Sequence, residues 1–190
     1  MLELIRTDGV ALQPWRNGGG QTRELLAWPS SEQCHLRIAV ADIAADGPFS
    51  SYDGIERWIV VISGIGISLA FSDGERELMR GDEPLCFDGA AAPGCRLLDG
   101  PTRDLNLMVQ GGRGVMRSVR AGVAWNEHFA MRGVFAAASG RLTGNAETRD
   151  VPAMTLAWND HARESSAWTF EYDESHDVAQ AWWLGFTPSE

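Results

Sequence analysis

The segment WIVVISGIGISLAFSDGE, residues 58–75, contains the clearest secondary-structure pattern in the chain. Its first part, Trp58–Ile62, is a continuous apolar run rich in β-branched residues, which is typical of a strand buried on both faces. The next part, Ile65–Phe71, alternates between the two faces of a second strand. The Asp73-Gly74 pair that follows favours a tight hairpin, because glycine readily adopts the positive φ that such turns require. The segment therefore predicts consecutive β-strands.

Similar short apolar runs, bounded by glycine and proline, recur along the rest of the chain. His35–Ile43 alternates with Leu36, Ile38 and Val40 on one face, whereas Gln21–Trp28 fits either one helical turn or a strand. No long segment has the period of a helix, so the pattern predicts an all-β fold. Further strand candidates are Leu97–Leu98, Asp104–Val109, Val115–Val119, Met131–Ala138, Met154–Trp158 and Ala179–Phe186.

The composition restricts the classes of partner and of chemistry. The 190 residues include 26 acidic and 16 cationic side chains, a formal net charge of −10, and every cation is an arginine. An acidic chain disfavours nucleic acids and anionic membranes as partners, and the absence of lysine excludes Schiff-base chemistry on this chain. The 3 cysteines form no CxxC pair, and no signal-peptide pattern or membrane-spanning apolar run occurs. We therefore expect a cytoplasmic protein that binds neither nucleic acid nor membrane.

The sharpest local motif is PWRNGGGQTRE, residues 14–24. Consecutive glycines let a backbone approach a ligand closely, and Arg16 and Arg23 flank them with guanidinium groups whose planar donors suit a carboxylate. Asn17 and Thr22 add neutral hydrogen-bonding groups. No lysine follows the glycines as in a phosphate-binding P-loop, and no strand–GxGxxG–helix pattern surrounds them. A ligand-binding loop and a glycine-rich surface turn with solvated arginines both remain open.

Several motifs together resemble the HutD/Ves family. They are residues 14–24, the segments Ala41–Ile43 and Gly47–Ser50, Arg57, Gly64, and the segment Asp104–Met108. The resemblance implies a bicupin, with two jelly-roll-like β-barrels in one chain, and a role in regulating histidine utilisation without a known catalytic step. A weak internal similarity between Ile59–Gly64 and Val134–Gly140 agrees with two units. We expect a first cupin unit at 1–110, carrying the ligand motifs, and a second, smaller unit at 111–190.

The cupin metal ligands can be compared with this chain position by position. Counting from Gly64 places Ser50, Tyr52 and Arg57 at the first three ligand positions, and counting from Gly89 places Ala92 at the fourth. These side chains do not form a set of converging metal ligands. The comparison predicts no metal, and no other cofactor is indicated. None of the 4 histidines, at positions 35, 128, 161 and 176, has metal-binding spacing.

Arg57 lies in an apolar run, where a buried charge needs a partner. It could bind a ligand at the vacated metal position, form an internal ion pair with Asp104 or Glu24, or face solvent. Asp104 and Asn106 share one face of a late strand and are either ligand contacts or a polar pair that orients the arginines. No residue is predicted to be catalytic. The candidate ligand-binding residues are Arg16, Asn17, Thr22, Arg23, Glu24, Tyr52, Arg57, Asp104 and Asn106.

The first functional hypothesis is a metal-free protein that binds a small carboxylate. The resemblance narrows the ligand to an intermediate of histidine catabolism, such as urocanate or a formylated or formimino glutamate, whose binding would report flux through the pathway and restrain its expression. The alternative is a metal-independent cupin isomerase or hydrolase, in which Glu24 with Tyr52 or Asp104 supplies acid–base chemistry. Formation of a homodimer remains open.

Overall fold

The computed structural model describes residues 2–144, 147–160, 167–172 and 178–189, and they form two compact units. One unit is Val10–Gly111, and the other combines Met1–Gly9 with Gly112–Glu190. The expected division at 1–110 and 111–190 therefore places the N-terminal residues in the wrong unit. Strand β1 (Leu2–Arg6) pairs along its length with residues 155–159. The local sequence pattern does not predict this long-range pairing.

The unit Val10–Gly111 consists of two antiparallel sheets, one of six strands and one of four. The strands are β2 (Gln13–Pro14), β3 (Gly20–Pro29), β4 (Cys34–Ile43), β5 (Gly47–Pro48), β6 (Glu56–Ser63), β7 (Gly66–Phe71), β8 (Gly74–Met79), β9 (Leu85–Asp88), β10 (Gly94–Leu97) and β11 (Thr102–Val109). The six-stranded sheet has the order β2-β3-β4-β11-β6-β9, and the four-stranded sheet has the order β5-β10-β7-β8.

The other unit contains a five-stranded and a three-stranded antiparallel sheet. Its further strands are β12 (Gly112–Ser118), β13 (Met131–Ala136), β14 (Gly140–Gly144), β15 (Glu147–Val151), β16 (Thr155–Asn159), β17 (Thr169–Tyr172) and β18 (Ala181–Pro188). The sheet orders are β1-β16-β13-β18-β12 and β15-β14-β17.

The local predictions for the best-patterned strands are confirmed. In β6, Ile59, Val60 and Val61 are fully buried, as the continuous apolar run predicts. Strands β7 and β8 form the predicted hairpin, with Phe71 opposite Gly74, whose φ is 141°. The ambiguous segment 21–28 lies within β3, so the strand alternative is correct and the helical turn is wrong.

The six-stranded sheet presents a mixed polar and apolar face to a core that it shares with the four-stranded sheet. This core contains Ile43, Phe49, Ile59, Val61, Ile67, Leu69, Leu78 and Cys95. Along β11, Asp104 lies level with Val61 of the core, Asn106 with Ile59, and Met108 with Arg57. Asp104 and Asn106 therefore lie on the same face of β11, with Asp104 beside the core and Asn106 nearer to Arg57.

Helices are minor elements in the described part of the chain. Only two 3₁₀ turns occur there, at Thr7–Gly9 and Gly89–Ala91. Neither has the length or the apolar composition to cross a bilayer, and no other described segment forms a candidate spanning helix.

Candidate functional site

A cavity of about 530 Å³ opens on the core-side face of the six-stranded sheet, which is a size typical of sites for small metabolites. Polar and apolar side chains contribute to its wall in a mixture that suits a small polar ligand. The lining residues are Gln13, Pro14, Trp15, Arg16, Asn17, Thr22, Glu24, Arg37, Ala39, Ala41, Pro48, Phe49, Ser50, Tyr52, Arg57, Asn106 and Met108.

Arg57 is the buried charge of this cavity, with only 7% of its surface exposed. Its Nε and Nη2 donate hydrogen bonds of 3.1 and 2.7 Å to Oδ1 of Asn106. The guanidinium carbon lies 4.3 Å from the centre of the Phe49 ring and 5.5 Å from that of Phe87, an arrangement that favours a cation. Burial lowers the pKa of Arg57 to about 10, so the group stays charged at neutral pH.

The charge of Arg57 has no counter-ion at ion-pair distance among the described residues. Asp104 interacts with it at longer range and Glu24 pairs with Arg37, so the alternative of an internal ion pair with either residue is not realised. A solvent-facing arginine is equally inconsistent with its burial. A buried charge without an ionic partner is costly, and here Asn106 and the aromatic rings are the neighbours that stabilise it.

The glycine-rich motif forms a loop along the cavity, and its polar groups largely support the loop itself. Nε1 of Trp15 donates a hydrogen bond of 2.7 Å to Oγ1 of Thr22, and the Asn17 side chain accepts one of 3.0 Å from the backbone of Gly19. A Cβ at Gly20 would lie 2.5 Å from a backbone oxygen and 3.0 Å from the Trp15 ring, so only glycine fits there. Arg16 is the exposed cation at the rim.

Glu24 and Arg37 form an ion pair on one wall of the cavity. Arg37 Nε lies 2.9 Å from Glu24 Oε2, and the Ser31 hydroxyl donates to the other carboxylate oxygen. The pair cancels one positive charge of the wall. Arg37 was not predicted as a site residue, although its alternation with the buried Leu36 and Ile38 already placed it on the opposite face of β4.

Arg23 lies outside the cavity lining, unlike its neighbours Thr22 and Glu24, because successive residues of β3 point to opposite faces. Its Nη1 donates a hydrogen bond of 2.8 Å to Asp42, which also binds Arg103. Burial raises the pKa of Asp42, but the hydrogen bonds that these two arginines donate lower it, and the pKa stays below its ordinary value. Arg23 thus has a partner within the protein.

Asp104 also lies outside the lining, because it is fully buried deeper in the sheet. Neither of its carboxylate oxygens accepts a hydrogen bond of acceptable geometry from the described residues. Burial raises the pKa of the Asp104 carboxyl to about 7, against the opposite effects of the Thr102 hydroxyl and of Arg57. Among the nine predicted residues, the other seven line the cavity together.

The positions of the cupin metal ligands fall partly in this cavity. Ser50, Tyr52 and Arg57 line it, whereas Ala92 ends a 3₁₀ turn and does not. Within the described ranges, no three His, Cys, Asp or Glu side chains come together as a metal site. The histidines at 35 and 128 are not part of the lining, and those at 161 and 176 lie outside the described residues.

Comparison with known sequences gives one family over nearly the whole chain. The model of the HutD family matches residues 8–179. The chain is 32% identical over 109 residues to a 21.2 kDa protein in the hutC 3′ region of Pseudomonas putida, and 33% identical over 111 residues to protein Ves of Citrobacter koseri. These alignments cover 56% and 57% of this chain and 57% and 58% of the two relatives, so the likeness spans little more than half of each.

Solved structures extend the likeness to the complete fold. HutD from Pseudomonas fluorescens SBW25 superposes with a TM-score of 0.86 at 24% identity, covering 100% of both chains. A variant of oxalate decarboxylase from Bacillus subtilis superposes with a TM-score of 0.64 at 9% identity, covering 98% of this chain and 77% of the other. At these identities the comparisons concern the fold alone, which is all-β and cupin-like.

Proposed function

Because the chain belongs to the HutD family, we propose that it is a metal-free protein that binds a small carboxylate and senses an intermediate of histidine breakdown. One observation carries the proposal: the buried guanidinium of Arg57 lines a metabolite-sized cavity and has no carboxylate partner in the described part of the chain. A carboxylate ligand would provide the missing negative charge.

The charge of the cavity wall supports an anionic ligand. Arg16, Arg37 and Arg57 contribute three guanidinium groups against the single carboxylate of Glu24, in a chain whose net charge is −10. Since Glu24 and Arg37 neutralise each other, Arg57 and Arg16 leave one positive charge at depth and one at the rim. A ligand with one or two carboxylates matches this distribution.

The hydrogen bonds of Arg57 support direct contact with the ligand. A guanidinium has five N–H donors, and Asn106 receives hydrogen bonds from only two of the nitrogens. No described residue receives one from Nη1, so a ligand carboxylate can accept from the group while Asn106 fixes its orientation. The rings of Phe49 and Phe87 lie against the guanidinium and favour its positive charge.

We also propose that the two units are a pair of cupin modules. The similarity between Ile59–Gly64 and Val134–Gly140 extends to an arginine two residues earlier in each case, Arg57 and Arg132. Both are buried near the start of a strand that has a neighbour on each side, and both lie over two aromatic rings. Arg132 packs on tryptophans and is not among the residues of the described cavity.

The regulatory part of the proposal rests on the family. A protein that binds a pathway intermediate in the cytoplasm can report flux and restrain expression of the histidine-utilisation genes without turning the ligand over. The enzymatic alternative has less support, because Glu24 is held in an ion pair with Arg37 and Asp104 does not reach the cavity wall. Only Tyr52 remains from the expected acid–base groups.

Isothermal titration calorimetry with urocanate, N-formylglutamate and formiminoglutamate tests the binding function. We expect one of them to bind wild type, and Arg57→Gln to weaken its binding by about a hundredfold, because a charge-assisted contact is lost. Arg57→Lys keeps the charge without the planar fork and should retain part of the affinity. Arg103→Gln, which removes a guanidinium on the opposite side of the sheet, is the matched control and should bind as wild type does.

The same titrations separate the proposal from its alternatives. Absence of heat with all three acids, or equal affinities for wild type and a folded Arg57→Gln, would overturn carboxylate binding at this cavity. Turnover of any of these compounds, followed by NMR and lost in Glu24→Gln, would instead establish the enzymatic function. Expression of a histidine-utilisation reporter with wild type or Arg57→Gln tests the regulatory step in cells.

A further inference from the structure

We propose that Asp104 is a positioning residue that makes anion binding in the cavity proton-linked: when a carboxylate binds against Arg57, Asp104 takes up protons from the solvent. The inference rests on the proposed carboxylate-binding function and deepens it, because it specifies how the site chooses the charge of its ligand. No residue of the glycine-rich loop is involved.

Asp104 lies two residues from Asn106, the side chain that binds Arg57, and interacts electrostatically with Arg57. Asp104 and Asn106 are neighbours on the same face of β11, and Asn106 accepts both hydrogen bonds from Arg57. Asp104 is fully buried, and neither of its oxygens accepts a hydrogen bond of acceptable geometry among the described residues, although the Thr102 hydroxyl lies close enough to lower its pKa. An isolated ionised carboxylate in such a position is costly, so protonation is the available way to remove the charge.

The groups around Asp104 leave Arg57 as its main charged neighbour. Arg57 faces it from β6 and Cys95 from β10, while Thr102 is adjacent on the same strand. Burial, together with the neighbouring carboxylates, raises the pKa of the Cys95 thiol to about 12, so this group does not titrate with Asp104.

The remaining strands contribute little charge to this position. On β4 the residue paired with Asp104 is Ala41, and the neighbouring Asp42 is bound by two arginines, although it still raises the pKa of Asp104 slightly. On β7 the core residues are Ile67 and Leu69, which carry no charge.

A bound anion and an ionised Asp104 compete for the same positive charge. Without a bound anion, burial raises the pKa of Asp104 and the positive charge of Arg57 lowers it, and the pKa is about 7. An anion beside Arg57 neutralises the positive charge that lowers the pKa of Asp104. The pKa therefore rises further, and the carboxyl takes up a proton. The affinity for the anion therefore depends on pH. It is constant at low pH, where Asp104 is already protonated, and it falls as the pH rises above about 7, because Asp104 must then take up a proton for the anion to bind.

Calorimetry with N-formylglutamate, and with formate as a smaller probe, tests the linkage. Both probes are fully ionised above about pH 6, because their carboxyl groups have ordinary acidic pKa values. For wild type we expect the dissociation constant to rise about tenfold between about pH 6.5 and pH 8.5, which is a coupling of ordinary size. At pH 7.5, buffers of different ionisation enthalpy should reveal proton uptake on binding.

Two variants identify the residue. Asp104→Asn should bind with an affinity that does not change over this pH range and without proton uptake. Asp42→Asn, which removes a carboxylate on the opposite face of β4, should keep the wild-type slope. If Asp104→Asn does not fold, NMR of ¹³C-labelled aspartate carboxyl groups in wild type provides the same information, and the pKa of Asp104 should increase when the probe is added.

The possible failures are distinguishable. Binding of either probe with a flat pH profile, or a slope that persists in Asp104→Asn, would overturn the proton linkage and leave the carboxylate-binding function intact. Absence of binding by both probes and by urocanate at every pH would overturn the proposed function and this inference with it.

Discussion

Replacing Asp104 by asparagine should change how the stability of the protein depends on pH. The carboxyl is fully buried, and burial raises its pKa from the ordinary value of 3.8 to about 7. Below the unfolded-state pKa both states are protonated and the contribution of the group is fully present. As the pH rises, the unfolded chain loses this proton first, so the contribution decreases until the folded-state pKa is passed.

The expected size follows directly from that shift. One pKa unit corresponds to about 1.4 kcal/mol, so the increase in pKa from 3.8 to about 7 amounts to about 4 kcal/mol. Asparagine has nearly the same shape as aspartic acid and does not titrate. The free energy of unfolding of Asp104→Asn, measured relative to wild type, should therefore increase by about 4 kcal/mol between about pH 4 and pH 8.

Urea unfolding at a series of pH values, monitored by tryptophan fluorescence, measures this difference. Asp42→Asn is the informative control, because arginine partners hold the pKa of Asp42 below its ordinary value and the sign is reversed. Its carboxylate stabilises the fold above the unfolded-state pKa and ceases to do so as the pH falls. Parallel stability curves for wild type and Asp104→Asn would refute the reasoning, since they would mean that Asp104 titrates alike in the folded and unfolded chains.

Three further predictions concern the loop and the metal. Gly20→Ala should destabilise the fold by about 1–3 kcal/mol in urea unfolding, because the added Cβ would overlap a backbone oxygen of Asp42 and touch the Trp15 ring. Gly9→Ala is the control and should be neutral, because a Cβ added at Gly9 would meet open space. Thr22→Val should cost about 1 kcal/mol and alter the near-ultraviolet circular dichroism, since the Trp15 indole loses its acceptor; an unchanged spectrum would contradict the hydrogen bond. Dialysis against EDTA should leave the melting temperature unchanged, and stoichiometric iron, zinc or manganese in elemental analysis would contradict metal-free binding.

The strands that the sequence predicts best are those in which burial and backbone conformation impose the same pattern. The runs 58–62 and 35–43 became β6 and β4, because a buried antiparallel strand needs either a continuous or an alternating apolar pattern. Strand β1 was missed because its exposed residues carry no such pattern, and β15 was missed for the same reason. The position of β1 depends on β16, a partner strand far away in the sequence.

The sequence predicts which residues come together at the candidate site better than it predicts the role of each residue. Motif positions grouped Arg57 and Asn106 with the glycine-rich loop, and the structure places both of them with Arg16, Asn17 and Thr22 around one cavity. That these residues bind a ligand stays a prediction. Arg23 does not line the cavity because residues 21–28, whose sequence fits a helical turn as well as a strand, form a strand that puts Arg23 and Thr22 on opposite faces. The Glu24–Arg37 pair depends on the register between β3 and β4, which a single sequence does not contain.

The pairing of β1 with β16 bears on the order in which the protein folds during translation. Thr7, just after β1, bonds to Met154 at a separation of 147 residues, so the sheet that contains β1 is completed only when most of the chain has left the ribosome. Residues 10–111 emerge earlier and already contain every strand of their own two sheets. The cavity-bearing unit can therefore form co-translationally, whereas the nascent N-terminal segment must wait for a late-synthesised partner.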